Sequence, residues 1–254
     1  VKLMMSVQNF EEAKAVVSSG CTFLDVKNPH EGSLGAAPPW VLQEVVERFS
    51  IEGCQISGSL GDLPHLPGTG ALAAFAAARL NLNYVKVGLL GSRTLNQAFE
   101  MLTSIRRSIR GANNTTCVVA GAFADWRHID GLAPKDLVRA AEQSRVDVCL
   151  LDTAIKDGRN LFDHMPLGEL AEFVALCHDA KLQCALAGSI KTEHLHDLVR
   201  IAPDFIGVRG AICSDAKDRR SSICPVRASG FIRSAAEAVN DILATRARRK
   251  KLIR

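Results

Sequence analysis

Val146-Asp-Val-Cys-Leu-Leu-Asp152 is an apolar run that ends on an aspartate, followed by the turn-rich Thr153-Ala-Ile-Lys-Asp-Gly158. An amphipathic stretch over 167–180 leads into a second short run, Gln183-Cys-Ala-Leu-Ala-Gly188. Short apolar run, loop, amphipathic segment and short apolar run together spell a parallel βαβ unit. The same unit recurs in both directions along the chain. Strands are predicted over 2–6, 23–27, 54–59, 84–88, 117–121, 146–152, 183–188 and 205–209. Helices are predicted near 9–19, 39–49, 69–80, 94–110, 134–144, 167–180 and 191–200. A last one spans roughly 226–247, with Val226, Ile232, Ala235, Val239 and Ile242 at near-helical spacing. Pro38-Pro39, Thr69, Thr94 and Thr192 supply helix-opening prolines and caps.

Eight strands with their helices, in a chain of 254 residues, predict an α/β protein built as a single (β/α)8 TIM-type barrel, a fold of roughly 250 residues. A doubly wound open sheet shares the alternation and is the competing architecture; the count of eight favours closure. No linker or shift in composition divides the chain. Residues 1–245 are read as the barrel domain and 246–254 as a basic C-terminal tail. That tail holds six basic residues and no acid, and without it the net charge of +4 becomes −2, 25 basic against 27 acidic residues. Such a tail can touch nucleic acid or membrane, but the solvated end of a fraying helix is the plainer reading.

Composition excludes several function classes. Aromatic residues make up 5%, with one Tyr, too few for a base-stacking platform on single-stranded nucleic acid. The apolar runs are short and interrupted, so no membrane span is expected. No nucleic acid or membrane partner is expected, no secretory signal is visible, and the cytoplasm is the expected location. The eight cysteines contain no C-x-x-C pair and read as small buried hydrophobes in a reducing compartment. His194 and His196 are two apart on a helix and do not face each other, so no metal site is expected. Pro67-Gly-Thr-Gly70 looks like a piece of a dinucleotide fingerprint, but an eight-residue gap separates it from the strand and no suitable acid follows. It opens the third helix instead.

Barrels of this kind carry their active sites on the loops after the strands, and there the charged residues of this chain gather. Asp25 and Lys27 are two apart on strand two and share one face. Lys86 ends strand four among apolar neighbours, Asp152 closes strand six, Lys156 follows by four, and Asp125 stands after strand five. A structural ion pair at the barrel mouth would account for Asp25 alone, and a plain loop lysine for Lys156. Burying several lysines together calls for a chemical reason. An unperturbed lysine is neutral at pH 7 in only about one molecule in a few thousand. Cations crowded in a dry cleft lower that pKa and free an amine to attack a carbonyl, while the aspartates move protons. Gly188 and Ser189 after strand seven, with Arg209 and Gly210 after strand eight, stand where such barrels commonly bind phosphate. The stretch 213–224, with Lys217, Arg219 and Arg220, is read as a loop able to cover a bound phosphate, or as a solvated surface loop.

Several long motifs carry a family resemblance: Leu24-Asp-Val-Lys-Asn-Pro-His-Glu-Gly-Ser-Leu-Gly-Ala36, Tyr84-Val-Lys-Val-Gly88, Leu151-Asp-Thr-Ala-Ile-Lys-Asp-Gly158, Leu161-Phe-Asp-His164, Cys184-Ala-Leu-Ala-Gly-Ser-Ile190 and Gly207-Val-Arg-Gly-Ala211. From about Ser6 to Ala211 the chain resembles the (5-formylfuran-3-yl)methyl phosphate synthases, also called 4-(hydroxymethyl)-2-furancarboxaldehyde-phosphate synthases, of methanofuran biosynthesis. His30 departs from the family pattern, where a second Pro is expected. The resemblance implies a lyase on a TIM-type barrel that condenses two glyceraldehyde 3-phosphate molecules, with loss of phosphate and water, in one-carbon metabolism. It implies that Lys27 forms the Schiff base and Lys86 accepts a proton, with Asp25, Asp152 and Lys156 as supporting acid, base and positioning residues. From their places after the strands, Gly188, Ser189, Arg209, Gly210 and Asp125 are expected to bind substrate. The resemblance further implies no metal or redox cofactor, a phosphorylated triose as the small-molecule partner, and a homo-oligomer. The residues by themselves leave open whether Lys27 or Lys156 is the covalent group. They equally admit a class I aldolase or triose-phosphate isomerase, or a barrel that binds a phosphate ligand without catalysis.

Overall fold

The computed structural model describes residues 1–112 and 115–252, with side chains through Thr245. Parallel strands β1 (Lys2–Val7), β2 (Phe23–Val26), β3 (Gln55–Asp62), β4 (Tyr84–Gly88), β5 (Cys117–Phe123), β6 (Val148–Asp152), β7 (Gln183–Leu186) and β8 (Phe205–Val208) follow one another around a closed barrel. The seam joins β1 to β8 in the register Lys2↔Phe205 to Met5↔Val208. The expected (β/α)8 barrel is the fold, and the open sheet is excluded by that seam.

Period-two alternation sorts the strand residues into two apolar populations. Met5, Val7, Leu24, Val26, Ile56, Val85, Val87, Cys149, Leu151, Cys184 and Leu186 face outward into a core shared with the helices. Met4, Phe23, Val119, Val148, Leu150, Ala185 and Phe205 fill the inside of the barrel. Phe23, Tyr84 and Phe205 are the first residues of their strands, so their rings meet at the lower end of the barrel. Phe23 lies 5.1 Å from Tyr84 and 5.5 Å, edge-on, from Phe205. Two residues further along β2 and β4 the same inward face carries Asp25 and Lys86. The polar layer therefore rests on an aromatic floor.

The helices are α1 (Phe10–Ser18), α2 (Pro39–Phe49), α3 (Pro67–Ala78), α4 (Leu95–Ala112), α5 (Pro134–Ser144), α6 (Leu161–His164), α7 (Leu167–Asp179), α8 (Leu195–Ile201) and α9 (Pro225–Leu252). Proline opens α2, α3 and α5, where its missing N–H is no loss. Asn9 caps α1 by accepting from the Glu12 amide at 3.0 Å, and Thr94 Oγ1 accepts from the Gln97 amide at 3.3 Å. Thr69 is no cap, because Pro67 starts α3 two residues earlier. The short α6 has no counterpart in the predicted elements. Asn160 makes it by accepting from the Phe162 amide at 2.8 Å. The backbone of α9 runs on to Leu252, past the predicted end at 247. The basic side chains of the 246–254 tail lie outside the described residues. Among the described residues no helix is long and apolar enough to cross a membrane.

Candidate active site

At the upper end of the barrel, Asp25 and Lys86 meet inside. Their Oδ1 and Nζ atoms are 2.5 Å apart, and both side chains are 1% exposed. Ser6 Oγ, beside Asp25 across β1–β2, donates to Asp25 Oδ2 at 2.8 Å. Burial by itself would raise the Asp25 carboxyl; the Lys86 ammonium and then Lys27 outweigh it and hold the group below the usual carboxylate range. A second pair stands at the end of β6. Asp152 Oδ1 accepts from Lys156 Nζ at 2.9 Å, and Thr153 Oγ1 accepts from the same ammonium at 2.9 Å. Burial again opposes ionisation of Asp152, but Lys156 and then Lys27 hold its carboxyl far below the ordinary value.

Lys27 stands between the two pairs with no close carboxylate of its own. Its Nζ donates to the Ser33 carbonyl at 2.9 Å and lies 3.9 Å from Asp152 Oδ2. Burial pushes this ammonium down to about 8; Asp152 and Asp25 pull it back up, and Lys86 and Arg219 add smaller downward pushes. The cause thus differs from the crowding of cations anticipated above. Loss of hydration does most of the work, because Lys86 and Lys156 are each neutralised by an aspartate. At pH 7 a pKa near 8 leaves about one Lys27 in ten neutral, against about one in a few thousand for a free lysine.

A loop network fixes this amine, and sequence reasoning missed its central members. Asp62 Oδ2, at the end of β3, accepts from the amides of Ser33 at 2.7 Å and Leu34 at 3.2 Å. Strict alternation would turn Asp62 outward, since Ser57 and Ser59 face in. Between Ser59↔Lys86 and Asp62↔Gly88 the register slips by one residue, and this bulge turns Asp62 toward the β2 loop. A side chain on Gly32 or Gly88 would collide with the Asp62 carboxylate. Ser33 in turn donates its hydroxyl to the Thr153 carbonyl at 2.6 Å. One buried serine therefore holds Lys27 through its carbonyl and the Lys156 loop through its hydroxyl. Ser33→Ala keeps the carbonyl and cuts the other tie, so turnover is expected to fall about tenfold, the scale of one lost hydrogen bond of roughly 1–1.5 kcal/mol. Steady-state kinetics of the variant, with an unchanged Lys27 adduct, checks this.

The charged residues open into a cavity of about 430 Å³ whose walls carry seven basic side chains and two acidic ones, Asp25 and Asp152. Gly188 and Ser189 line it with positive φ, +112° and +50°. Gly188 is required, since a Cβ there would press within 2.9 Å of Thr153 Cγ2. The amides of Ser189, Ile190, Gly210 and Ala211 have no protein acceptor among the described residues, which leaves an arc of donors suited to an anion.

Arg209 departs from the phosphate contact expected of it. Nε donates to the Arg219 carbonyl, Nη1 to the Ser6 carbonyl and Glu12, and Nη2 to Glu12 and the Ser221 carbonyl, at 2.6–3.2 Å. All five of its donors are used by protein, so it is a clamp between α1, β1 and the 213–224 strap. Asp125 departs likewise. It is buried and accepts from the amides of Ala154 at 2.8 Å and Ile155 at 2.7 Å, so it shapes the Lys156 loop, and its negative charge suits no phosphate contact. Among the described residues no group of three or more His, Cys, Asp or Glu is arranged to hold a metal ion.

The chain is a (β/α)8 barrel, and its lysine–aspartate cluster stands at the carboxyl ends of the strands, where such barrels carry their active sites. Residues 3–231 match the model of the 4-HFC-P synthase family, and the chain belongs to that family. It is 41% identical over 223 residues to the (5-formylfuran-3-yl)methyl phosphate synthase of Archaeoglobus fulgidus, covering 88% of this chain and 94% of that one. It is 44% identical over 224 residues to the enzyme of the same name from Methanosarcina mazei, with the same coverage. Among solved structures, a 3-hexulose-6-phosphate synthase superposes with a TM-score of 0.56 at 15% identity, over 92% of this chain and 99% of that one. A thiamine phosphate pyrophosphorylase from Pyrococcus furiosus superposes with a TM-score of 0.60 at 12% identity, over 94% and 96%. These two likenesses concern the fold alone.

Proposed function

We propose that the chain is a (5-formylfuran-3-yl)methyl phosphate synthase, a lyase that joins two glyceraldehyde 3-phosphate molecules through a Schiff base on Lys27. The observation that carries the reading is the position of that amine: 7% exposed, lowered to about 8, and set between an Asp25–Lys86 pair and an Asp152–Lys156 pair. The neutral amine adds to the aldehyde carbon of one triose, and loss of water gives an iminium. The iminium acidifies the neighbouring C–H, whose proton passes to the Asp25–Lys86 pair. The enamine electrons then form the carbon–carbon bond to the second aldehyde. Elimination breaks one C–O bond to phosphate, a hydroxyl oxygen closes the five-membered ring onto a carbonyl carbon, two dehydrations make the ring aromatic, and hydrolysis of the imine returns Lys27. Overall, one phosphate and two waters leave for each furan formed. The pathway this serves is the making of a methanofuran-type cofactor. The amide arc of residues 189–211 suits the phosphate of the bound triose.

Borohydride reduction of the protein with glyceraldehyde 3-phosphate, followed by peptide mapping, is expected to place the adduct on Lys27. A furan chromophore made from glyceraldehyde 3-phosphate alone separates this activity from an aldolase or isomerase, and absence of any adduct would sink the reading. The rate of trapping also has a signed pH dependence. Below the Lys27 pKa the ammonium is protonated and inert, so trapping should climb about tenfold per pH unit up to pH 8 and level off above it. A profile that keeps climbing to pH 10 would mean an unperturbed lysine.

A further inference from the structure

Arg219 carries a charge that the protein leaves unmatched. It sits on the strap closed by the Cys213↔Ile223 bridge and lines the cavity with Lys27 and Asp152. The backbone of the strap is held from beneath, by Arg209 Nε on the Arg219 carbonyl at 2.6 Å and by Arg209 Nη2 on the Ser221 carbonyl at 3.1 Å. Arg209 is itself locked onto Glu12. The Arg219 side chain makes one hydrogen bond, from Nη2 to the Gly32 carbonyl at 2.8 Å. Its remaining donors have no protein acceptor among the described residues, and no carboxylate among them lies within ion-pair distance. Burial pushes its pKa down, with Asp152 near enough to draw it back up. A half-buried cation kept without an anion is costly, and a fork of parallel N–H groups matches a phosphate.

Two triose phosphates in one cavity of about 430 Å³ would repel each other, and each needs its own counter-charge. The amide arc offers dipoles for one. With Arg209 fully used, it offers no free guanidinium for the other. We propose that Arg219 is a second, separate phosphate anchor, which holds the triose that enters after Lys27 has taken the first. The inference rests on the two-triose reading above. Because Gly32 precedes Ser33, the residue that holds Lys27, an anchor on Gly32 presents the second aldehyde beside the carbon activated at Lys27.

Calorimetric titration with inorganic phosphate tests the anchor without any turnover. The wild-type protein is expected to bind two phosphates and Arg219→Ala one, with the affinity of the remaining site changed less than twofold. Arg219→Lys should keep a weakened second site. The truncation keeps the bonds that hold the strap from beneath, since Arg209 makes them to the Arg219 and Ser221 carbonyls. With glyceraldehyde 3-phosphate, R219A should still give a borohydride-stable adduct on Lys27, while half-maximal furan formation needs at least about tenfold more triose. A wild type that binds a single phosphate, an R219A that still binds two, or one that binds none would each overturn the proposal. Failure of the wild type to form an adduct would instead count against the two-triose reading, and the phosphate count would still decide the role of Arg219.

Discussion

Lys27→Ala is expected to cut furan formation by at least roughly 10³-fold and to abolish the borohydride adduct, because the proposed mechanism makes Lys27 the covalent group. Lys156→Ala should cost less, about 10²-fold, and leave the adduct in place. The difference follows from geometry. Lys156 Nζ is 2.9 Å from Asp152 and its side chain is 24% exposed, so it already has a carboxylate partner and access to solvent. Lys27 Nζ has only a carbonyl at bonding distance and its nearest carboxylate oxygen at 3.9 Å. Peptide mapping of both variants decides between them; an adduct that survives K27A and disappears in K156A would reverse the assignment.

Lys86→Met is expected to destabilise the fold by about 3–5 kcal/mol, since it strands the Asp25 carboxylate in the barrel interior. For a domain of this size that is a fall of roughly 10 °C in Tm. The double variant Asp25→Leu, Lys86→Met should recover most of the loss, as apolar replacements of buried ion pairs commonly do, while remaining inactive. Thermal melts of the three proteins separate scaffold from chemistry: full stability in K86M alone would mean that the pair is not desolvated. The wild type should also lose stability on acidification. The Asp25 and Asp152 carboxyls are lowered in the folded protein. Their contribution is complete above the unfolded value of about 4 and drains away as pH falls through the folded values beneath it.

Much of this site was legible because charges on a buried strand face are conspicuous. Asp25, Lys27, Lys86 and Asp152 stand inside apolar runs, and two-residue spacing placed Asp25 with Lys27. The structure brings all four, with Lys156, to one cavity. Contacts that depend on how loops fold back were not legible. Arg209 resembled a free phosphate ligand because nothing in sequence shows that Glu12, 197 residues away, will meet it. Asp62 lies just past the predicted third strand, where alternation points it outward, and only the one-residue bulge turns it inward. Ser33 lay within the lysine motif with no mark that its two oxygens serve two different loops. The depressed amine was anticipated, yet its main cause was not, since neutralisation of Lys86 and Lys156 is a matter of pairing and not of count.

The Arg209 clamp bears on the order in which the polypeptide leaves the ribosome. Lys27 follows the second strand, whereas the strap that carries Arg219 and the residue that latches it to Glu12 emerge only after the eighth. A nascent chain holding the first several βα units has the lysine but no seam to keep water from it, so its amine is an ordinary solvated ammonium. On the Schiff-base reading, reactivity toward aldehydes is withheld during synthesis and switched on when the newest segment returns to the oldest.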